Sequence, residues 1–544
     1  MTDQPAATTR EFHEGTKLGD AAQGPRSTLR PEGFTPMDMT NRPAPFKRYP
    51  DAPRISLPRE VGESQGPAAA VLSGERDAAA GDVELDARLL ARLLFYSAGV
   101  TRVRSSDGQV ANWFRAAPAA GNLHPVEMYV VCGAIGDVAA GIHHFGPGDF
   151  TLETVRTGDR RAALADALAD DAPLRSSVSL VLTGLPWSTG WKYTARGFRH
   201  IYWDAGSMLA QTLAVADAAG ISARVHLGFV DSQISEELGL DGVSEFPVAV
   251  VTLGHGASPA EALGGTELVG GEPAPASPRP FEFPEVTRTQ RAGDLSDGEA
   301  VRHWREAAAE IGRGAVEQVT GSAGSAEAGS GDRIEELVRR RGSTRMFRPD
   351  EISSDLADWC LGVASRPVPA DFVGAGMTLL SHFVSVHAAA GVASGRHEWR
   401  DGTLQPIAAE PAAAARAEAQ RLCLGQPLGG DSAFSVFHCV DLEEVFTALG
   451  DRGYRAAQLE AGLAAGRLQL AAFAAGLGGT GLTFFDDAVS AAFDTSQACM
   501  LVTAVGASDY RSRPGGLPVE PTEMSGFAPG VVERFKARYE RDDA

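Results

Sequence analysis

Hydrophobic and polar positions along this chain fall into two periodic blocks separated by heavily punctuated stretches. The first block opens at LDARLLARLLFYSAG (85–99), where apolar residues recur every three or four positions, the spacing of a one-sided helix. VEMYVVCG (126–133), SVSLVLTG (177–184) and FPVAVVTLG (246–254) are nearly unbroken apolar runs that end in glycine. Their length and β-branched content predict strands buried on both faces. AGSMLAQTLAVADAAG (205–220) predicts a long helix closing at Gly220, in the place of a glycine C-cap. The second block starts at DRIEELVRRRG (332–342) and ends near Gly506.

The stretches around the blocks read differently. Residues 1–75 are rich in Pro, Arg and Gly, and FKRYPDAPRISLP (46–58) predicts an extended segment laid across a domain. Two domains are expected at 76–256 and 332–510. The connection 257–331 is expected to be a flexible linker, with a short helix at 298–312 and the small-residue run GSAGSAEAGSGD at 321–332. The tail, 511–544, carries a charged end, FKARYERDD, that predicts a helix.

The two blocks are copies. Laying 196–221 (RGFRHIYWDAGSMLAQTLAVADAAGI) on 452–477 (RGYRAAQLEAGLAAGRLQLAAFAAGL) gives nine identities in 26 ungapped positions. Arg196/Arg452, Gly197/Gly453, Arg199/Arg455 and Gly206/Gly462 are among them. GFVDSQI (228–234) in the first block has its echo in GLTFFDDAV (481–489) in the second. Such a repeat predicts an α+β chain whose duplicated domains pack as an intrachain pseudo-dimer.

Composition narrows the function classes. At 544 residues, with 44% hydrophobic and 22% charged positions, the chain reads as a soluble protein too long for a single core. A net charge of −21 argues against binding nucleic acid phosphates. Apolar runs such as 205–221 are interrupted by Ser, Gln, Asp and Gly, so no membrane span is expected. The start, MTDQPAATTREFHEG, lacks the form of a signal peptide. Five scattered cysteines without CxxC spacing predict reduced thiols in a cytoplasmic protein and no metal site. His143 and His144, adjacent in a strand, should point to opposite faces and not converge on a metal.

Two motifs carry chemistry. RAAPAAGNLHP (115–125) is a small-residue loop suited to close approach of backbone to a flat ring, with Asn122 able to meet a polar ring edge and His124 able to face ring or substrate. GWKYTARGFR (190–199) sets Lys192 and Tyr193 beside Arg196 and Arg199, a place to take a proton and to hold an anion. Together they point to a flavin enzyme. Taken singly, the same residues fit an Ala/Gly-rich turn, an exposed Lys with a half-buried Tyr, and a basic helix end.

RAAPAAGNLHPVEMYVV, GIHHF and WKYTARGFRHIYWDAGSMLAQ together resemble the SagB/McbC-type dehydrogenases of the FMN-dependent nitroreductase superfamily, over roughly residues 46–254. HEGTK (13–17) resembles their N-terminal stretch, and Pro118-Ala119-Ala120-Gly121 stands where the family commonly has Pro-Ser-Ala-Gly. The resemblance implies oxidation of thiazolines and oxazolines to thiazoles and oxazoles in a ribosomally made peptide. It implies Lys192 and Tyr193 as the proton-transfer pair, a cyclodehydratase as partner, and non-covalent FMN. Arg115, Pro118, Ala119, Gly121, Asn122 and His124 would lie along the flavin. Arg341, Ser343 and Arg345 match the Arg-x-Ser-x-Arg phosphate pattern, with Arg196 and Arg199 as possible additions. In the first block AGVTR (98–102) keeps only Thr101 and Arg102 of that pattern. One complete site is therefore expected, built from 118–124 of the first block and 341–345 of the second. A degenerate one would join Thr101 and Arg102 to SRPVPADF (365–372), with Ala448-Leu449 in place of Lys-Tyr. Further homo-oligomerisation stays open. So do two other readings, a generic NAD(P)H-dependent flavin reductase or nitroreductase and a non-catalytic peptide-docking subunit.

Overall fold

A computed structural model of the chain describes residues 5–19, 31–75, 83–106, 109–255, 267–316 and 331–524. The run at 321–330 and the charged tail end therefore lie outside the described residues. Each half is built around an antiparallel sheet. In the first, the strands lie in the order Arg54–Ser56, Thr151–Thr157, Gly141–Gly146, Val126–Cys132, Val178–Gly184, Phe246–Leu253, Ala223–His226. In the second the order is Thr403–Ala409, Gly395–Arg400, Leu380–Val386, Phe434–Val440, Ala498–Ser508, and the last strand also carries Gly478–Leu482 and Phe347–Arg348. Setting aside the edge additions Arg54–Ser56 and Phe347–Arg348, both sheets run third-second-first-fourth-sixth-fifth in chain order. The duplication read in the sequence is a duplication of topology.

The apolar runs became strands because both of their faces are covered. Val126–Cys132, Val178–Gly184 and Phe246–Leu253 are buried at every position. FKRYPDAPRISLP supplies the edge strand Arg54–Ser56, as its extended character predicts. His143 and His144 take different partners: His143 meets Thr154, while His144 meets Glu127 and Glu153.

The repeated helices pack against each other at the centre of the molecule. Gly197–Ala218 in the first half is buried through its first 20 residues. Leu442–Ala474 in the second is broken at Gly450, whose φ of 60° and ψ of −154° leave the helical region. Where the helices cross, a Cβ on Gly206 would collide with the Leu459 carbonyl, and one on Gly462 with the Trp203 backbone. The Ser207 hydroxyl donates to the Gly462 carbonyl at 3.2 Å across this contact. The paired Ala-Gly steps of the repeat thus exist for backbone-to-backbone approach. Gly462→Ala is expected to cost about 1–3 kcal/mol as an overpacked contact; an unchanged urea midpoint would show that the helices can slide apart freely.

The described part of the connecting region, 267–316, contains regular structure. Within 257–331 it forms the helices Pro284–Ala292 and Gly298–Ala309. The first of these is the counterpart of the N-terminal helix Ala7–Gly15. The carbonyls of His13 and Thr16 accept from Arg199 and Arg196, and those of Gln290 and Gly293 accept from Arg455 and Arg452. Leu18 and Leu295 each donate a backbone N–H to an aspartate of the opposite half, Asp486 and Asp231. The repeat unit accordingly begins upstream of each expected domain boundary. No helix among the described residues is long and apolar enough to cross a membrane.

Candidate active site at the seam between the halves

The loop 116–124 is held in a shape that its sequence alone makes accessible. Gly121, Asn122 and His124 all have positive φ (63°, 59° and 47°), conformations suited to Gly and tolerated by Asn. The Asn122 amide donates to the Trp113 carbonyl at 2.9 Å, and its Oδ1 lies 3.0 Å from His124 Nε2. Asn122 therefore braces the loop. Burial first and Arg115 second push the His124 pKa down to about 3, so the ring is neutral at neutral pH. Beneath the loop, Asp204 accepts the Ala120 N–H at 3.0 and 3.1 Å.

Lys192 and Tyr193 end the helix Pro186–Tyr193 and stand over this loop. A Cβ placed on Gly121 would lie 2.8 Å from the Tyr193 hydroxyl and 3.3 Å from Lys192 Nζ. Only glycine leaves room for the pair at that point. Partial burial and then the Arg345 charge lower the Lys192 pKa from its ordinary value. Burial first, then Asp204, raise that of Tyr193, against a smaller opposing pull from Arg345. The Tyr193 ring stacks on His200 with centroids 4.1 Å apart and planes 11° off parallel. The next residue, Thr194, has φ 55° and ψ −145°, essentially a glycine conformation. At the equivalent position of the second half stands Gly450, beside Ala448-Leu449. Backbone strain is thus retained in the half that keeps Lys-Tyr and relieved in the half that lacks it.

The second half brings its arginine pattern to the same place. Arg341 Nη2 donates to the Ala116 carbonyl at 2.7 Å, joining the two motifs directly. Among the described residues its Nε and Nη1 have no hydrogen-bond partner though buried, and the same holds for Thr344 Oγ1. Burial and then the nearby Arg102 charge lower the Arg341 pKa to about 9. Among the described residues Arg102 itself donates to two carbonyls, those of Arg513 and Arg339. Two buried guanidinium groups, with no carboxylate paired to either among the described residues, create a strong demand for an anion. Ser343 pairs with Gly479, and the Tyr510 hydroxyl accepts from the Arg345 N–H at 3.0 Å, fixing the arginine loop to its own half.

Other sequence-predicted residues have different partners. Arg115 is buried in an ion pair with Glu127 at 3.2 Å and also donates to the Pro45 carbonyl. Arg196 and Arg199 both grip Asp486, at 3.0 and 2.7 Å. Across the pseudo-twofold, Arg452 and Arg455 grip Asp231 at 2.6 and 2.7 Å. These four arginines lock the halves together, because a guanidinium buried away from water requires a carboxylate and each half keeps its own on the other side. Neither Asp231 nor Asp486 draws attention in the sequence by a motif of its own. The signal lay in their matching places in the repeat. Thr101 gives its hydroxyl to the Phe114 carbonyl and accepts the Gly516 N–H.

The residues expected to form the reciprocal site bond to other parts of the chain. Arg102 donates to the Arg513 and Arg339 carbonyls. In SRPVPADF, Asp371 accepts the backbone N–H groups of Leu227 and Gly228 at 2.7 and 3.1 Å and is paired with Arg305 at 2.9 Å. Burial opposes its charge, yet His226, Arg305 and these N–H groups hold its carboxyl below the usual range. Arg366 donates to the Leu72 carbonyl, closing the same region with the helix Ala68–Ser73.

Residues 95–255 and 338–507 each match the profile described as the nitroreductase family. The chain belongs to the nitroreductase family. Membership places it among the superfamily's oxidoreductases, whose members typically bind flavin. The microcin B17-processing protein McbC of Escherichia coli is 26% identical over 144 residues, 25% of this chain and 53% of McbC. The chain thus spans about half the length of that relative. A Methanocaldococcus jannaschii protein described as a nitroreductase is 25% identical over 174 residues, 31% of this chain and 81% of its own. A crystal structure of an Anabaena variabilis protein, also described as a nitroreductase, shares the fold. It superposes with a TM-score of 0.70 at 23% identity, covering 93% of this chain and 100% of that one. The nitroreductase fold is therefore present here in duplicate within one chain.

Proposed function

We propose that this chain is an FMN-dependent dehydrogenase that converts azoline rings to azoles in a ribosomally made peptide, downstream of a cyclodehydratase. The observation that carries the reading is the meeting of Lys192 and Tyr193 with Gly121, on a loop that Arg341 ties to the second half. Similarity to McbC, a microcin-processing protein, supports the peptide substrate. The residues present fit FMN. Arg341, with two unpartnered nitrogens, Ser343 and the buried Thr344 hydroxyl would hold its phosphate, and Arg102 would add positive charge. Pro118, Ala119 and Gly121 give the ring a surface without bulky side chains.

Bound FMN supplies an acceptor for the hydride that an azoline must lose. The remaining loss is a proton from the ring carbon. Lys192 Nζ takes it, helped by the lowered proton affinity that partial burial and Arg345 confer. Tyr193, kept protonated, donates a hydrogen bond and orients the ring.

The direct test is to incubate the FMN-loaded protein in air with a thiazoline-containing peptide. The expected product is lighter by two hydrogens. No mass change, together with rapid bleaching of the flavin by NAD(P)H, would favour a generic flavin reductase. Because Asp371, in the stretch expected to form the reciprocal site, takes the Leu227 and Gly228 N–H groups, one FMN per chain is expected. Arg341→Ala should weaken FMN binding by roughly 10- to 150-fold, the loss of a charged hydrogen bond of about 1.5–3 kcal/mol. A stoichiometry of two, or unchanged affinity in the variant, would refute this assignment of the sites.

A further inference from the structure

Gln211 lies on the helix Gly197–Ala218, about two turns beyond Asp204, and is 1% exposed. Its Nε2 donates to the Ala116 carbonyl at 3.1 Å, the same oxygen that accepts from Arg341 Nη2 at 2.7 Å. That contact fixes which way the amide faces, because reversing it would set one carbonyl oxygen against another. Its Oε1 is buried, and among the described residues nothing donates to it. A buried acceptor without a donor is unfavourable, and at the seam between two motifs it calls for a donor carried by a ligand.

Opposite needs meet at this carbonyl. Among the described residues Arg341 keeps Nε and Nη1 as spare donors, and three residues on, the buried Thr344 hydroxyl is spare as well. Gln211 adds a spare acceptor. An ionised phosphate satisfies the arginine and the threonine, yet it carries acceptors only and leaves Gln211 as it was. The missing partner is a hydroxyl next to the phosphate. FMN has one there, because its phosphate ends a chain of hydroxylated carbons, the ribityl chain, that leads to the ring.

The repeat separates this acceptor from mere bracing of the loop. The aligned helices set Arg467 in the place of Gln211, and Arg467 donates to the Arg366 and Pro367 carbonyls of SRPVPADF. Both copies thus send a donor to the backbone of the facing stretch. Only the first adds an acceptor, since a guanidinium has none. The counterpart of Arg341 is Ala98, which has no side-chain donor. The acceptor and Arg341 therefore stand at the same seam.

We propose that Gln211 is a flavin-binding residue: its Oε1 accepts a hydrogen bond from a ribityl hydroxyl beside the phosphate that Arg341 and Thr344 hold. Gln211 thereby selects the hydroxylated chain, which the phosphate grip alone does not read. This rests on the FMN of the functional reading above and is independent of its peptide substrate.

The test follows binding, not turnover. Flavin-stripped full-length protein is titrated with FMN and with FMN analogues that each lack one ribityl hydroxyl, and quenching of flavin fluorescence gives the affinities. At least one analogue should bind the wild-type protein about 2- to 12-fold more weakly than FMN, the span of a neutral hydrogen bond. In Gln211→Met that gap should close, whereas Gln211→Glu, which keeps an accepting oxygen, should preserve it. The gap is read within each protein, so a general loss of affinity from the freed Ala116 carbonyl cancels. Wild-type protein that binds FMN and every analogue equally would overturn the assignment, as would a gap unchanged in Gln211→Met. Wild-type protein that binds no FMN would overturn both this assignment and the proposed function. A gap that closes in Gln211→Met, with no azoline oxidised, would support the first and refute the second.

Discussion

Alanine in place of Lys192 should leave FMN bound and slow azoline oxidation by about 10²–10⁴-fold, the range of a lost general base. The structure makes this a clean experiment. Lys192 is only partly covered at the end of its helix, and among the described residues no carboxylate pairs with it, so its removal breaks no ion pair. The second half already carries alanine at the equivalent position, Ala448, inside a helix of the same kind. Lys192→Arg should not restore activity, because a guanidinium keeps its proton at any pH the enzyme meets. Stopped-flow reduction of the flavin by an azoline peptide separates this step from reoxidation. A normal reduction rate in Lys192→Ala would remove Lys192 from the chemistry.

The largest effect on stability is expected at Asp486. Removing its carboxylate leaves Arg196 and Arg199 buried without a counter-charge, a change of the kind that costs about 3–5 kcal/mol. That is a large part of the roughly 5–15 kcal/mol that holds a protein folded. The sign with pH follows from the carboxylate. Burial opposes its charge, but the two arginines bring its pKa down to about 2, from 3.8. Its contribution is therefore complete above pH 4 and is lost as pH falls toward 2. Denaturant midpoints of wild type and Asp486→Asn should differ widely at pH 7 and converge under acid. Equal midpoints at pH 7 would mean that the clamp holds nothing. Asp231→Asn is expected to behave alike, since Arg452 and Arg455 surround it in the same way.

Much of the fold was legible because burial writes itself into side-chain type. Strands covered on both faces need continuous apolar runs, and a backbone crossing at Gly206 and Gly462 needs glycine in both copies. The meeting of 118–124 with Lys192, Tyr193 and the arginine loop was legible from motif resemblance combined with the repeat. What stayed hidden depends on backbone atoms. The helix Pro284–Ala292 repeats Ala7–Gly15 through the carbonyls of Gln290 and Gly293, and a carbonyl constrains no side chain. Its surroundings therefore read as a linker. Arg115, Arg196 and Arg199 were legible as arginines near a motif, but their partners Glu127 and Asp486 are distant in sequence or fall outside any pattern. Asp204 had one faint sign: the repeat pairs it with Glu460, the only acid matched to an acid in the aligned helices.

The crossed clamps also set a timetable for making the protein. Arg199 is separated from Asp486 by 287 residues, so its partner is not yet made when the first half leaves the ribosome. At roughly 5–20 residues per second, the wait is on the order of 15–60 s. Throughout that interval Arg196 and Arg199 must stay hydrated, and the central helix of the first half cannot bury them. The first half is thus kept from setting before its sibling arrives, and the seam that would hold FMN closes only in the last stages of synthesis.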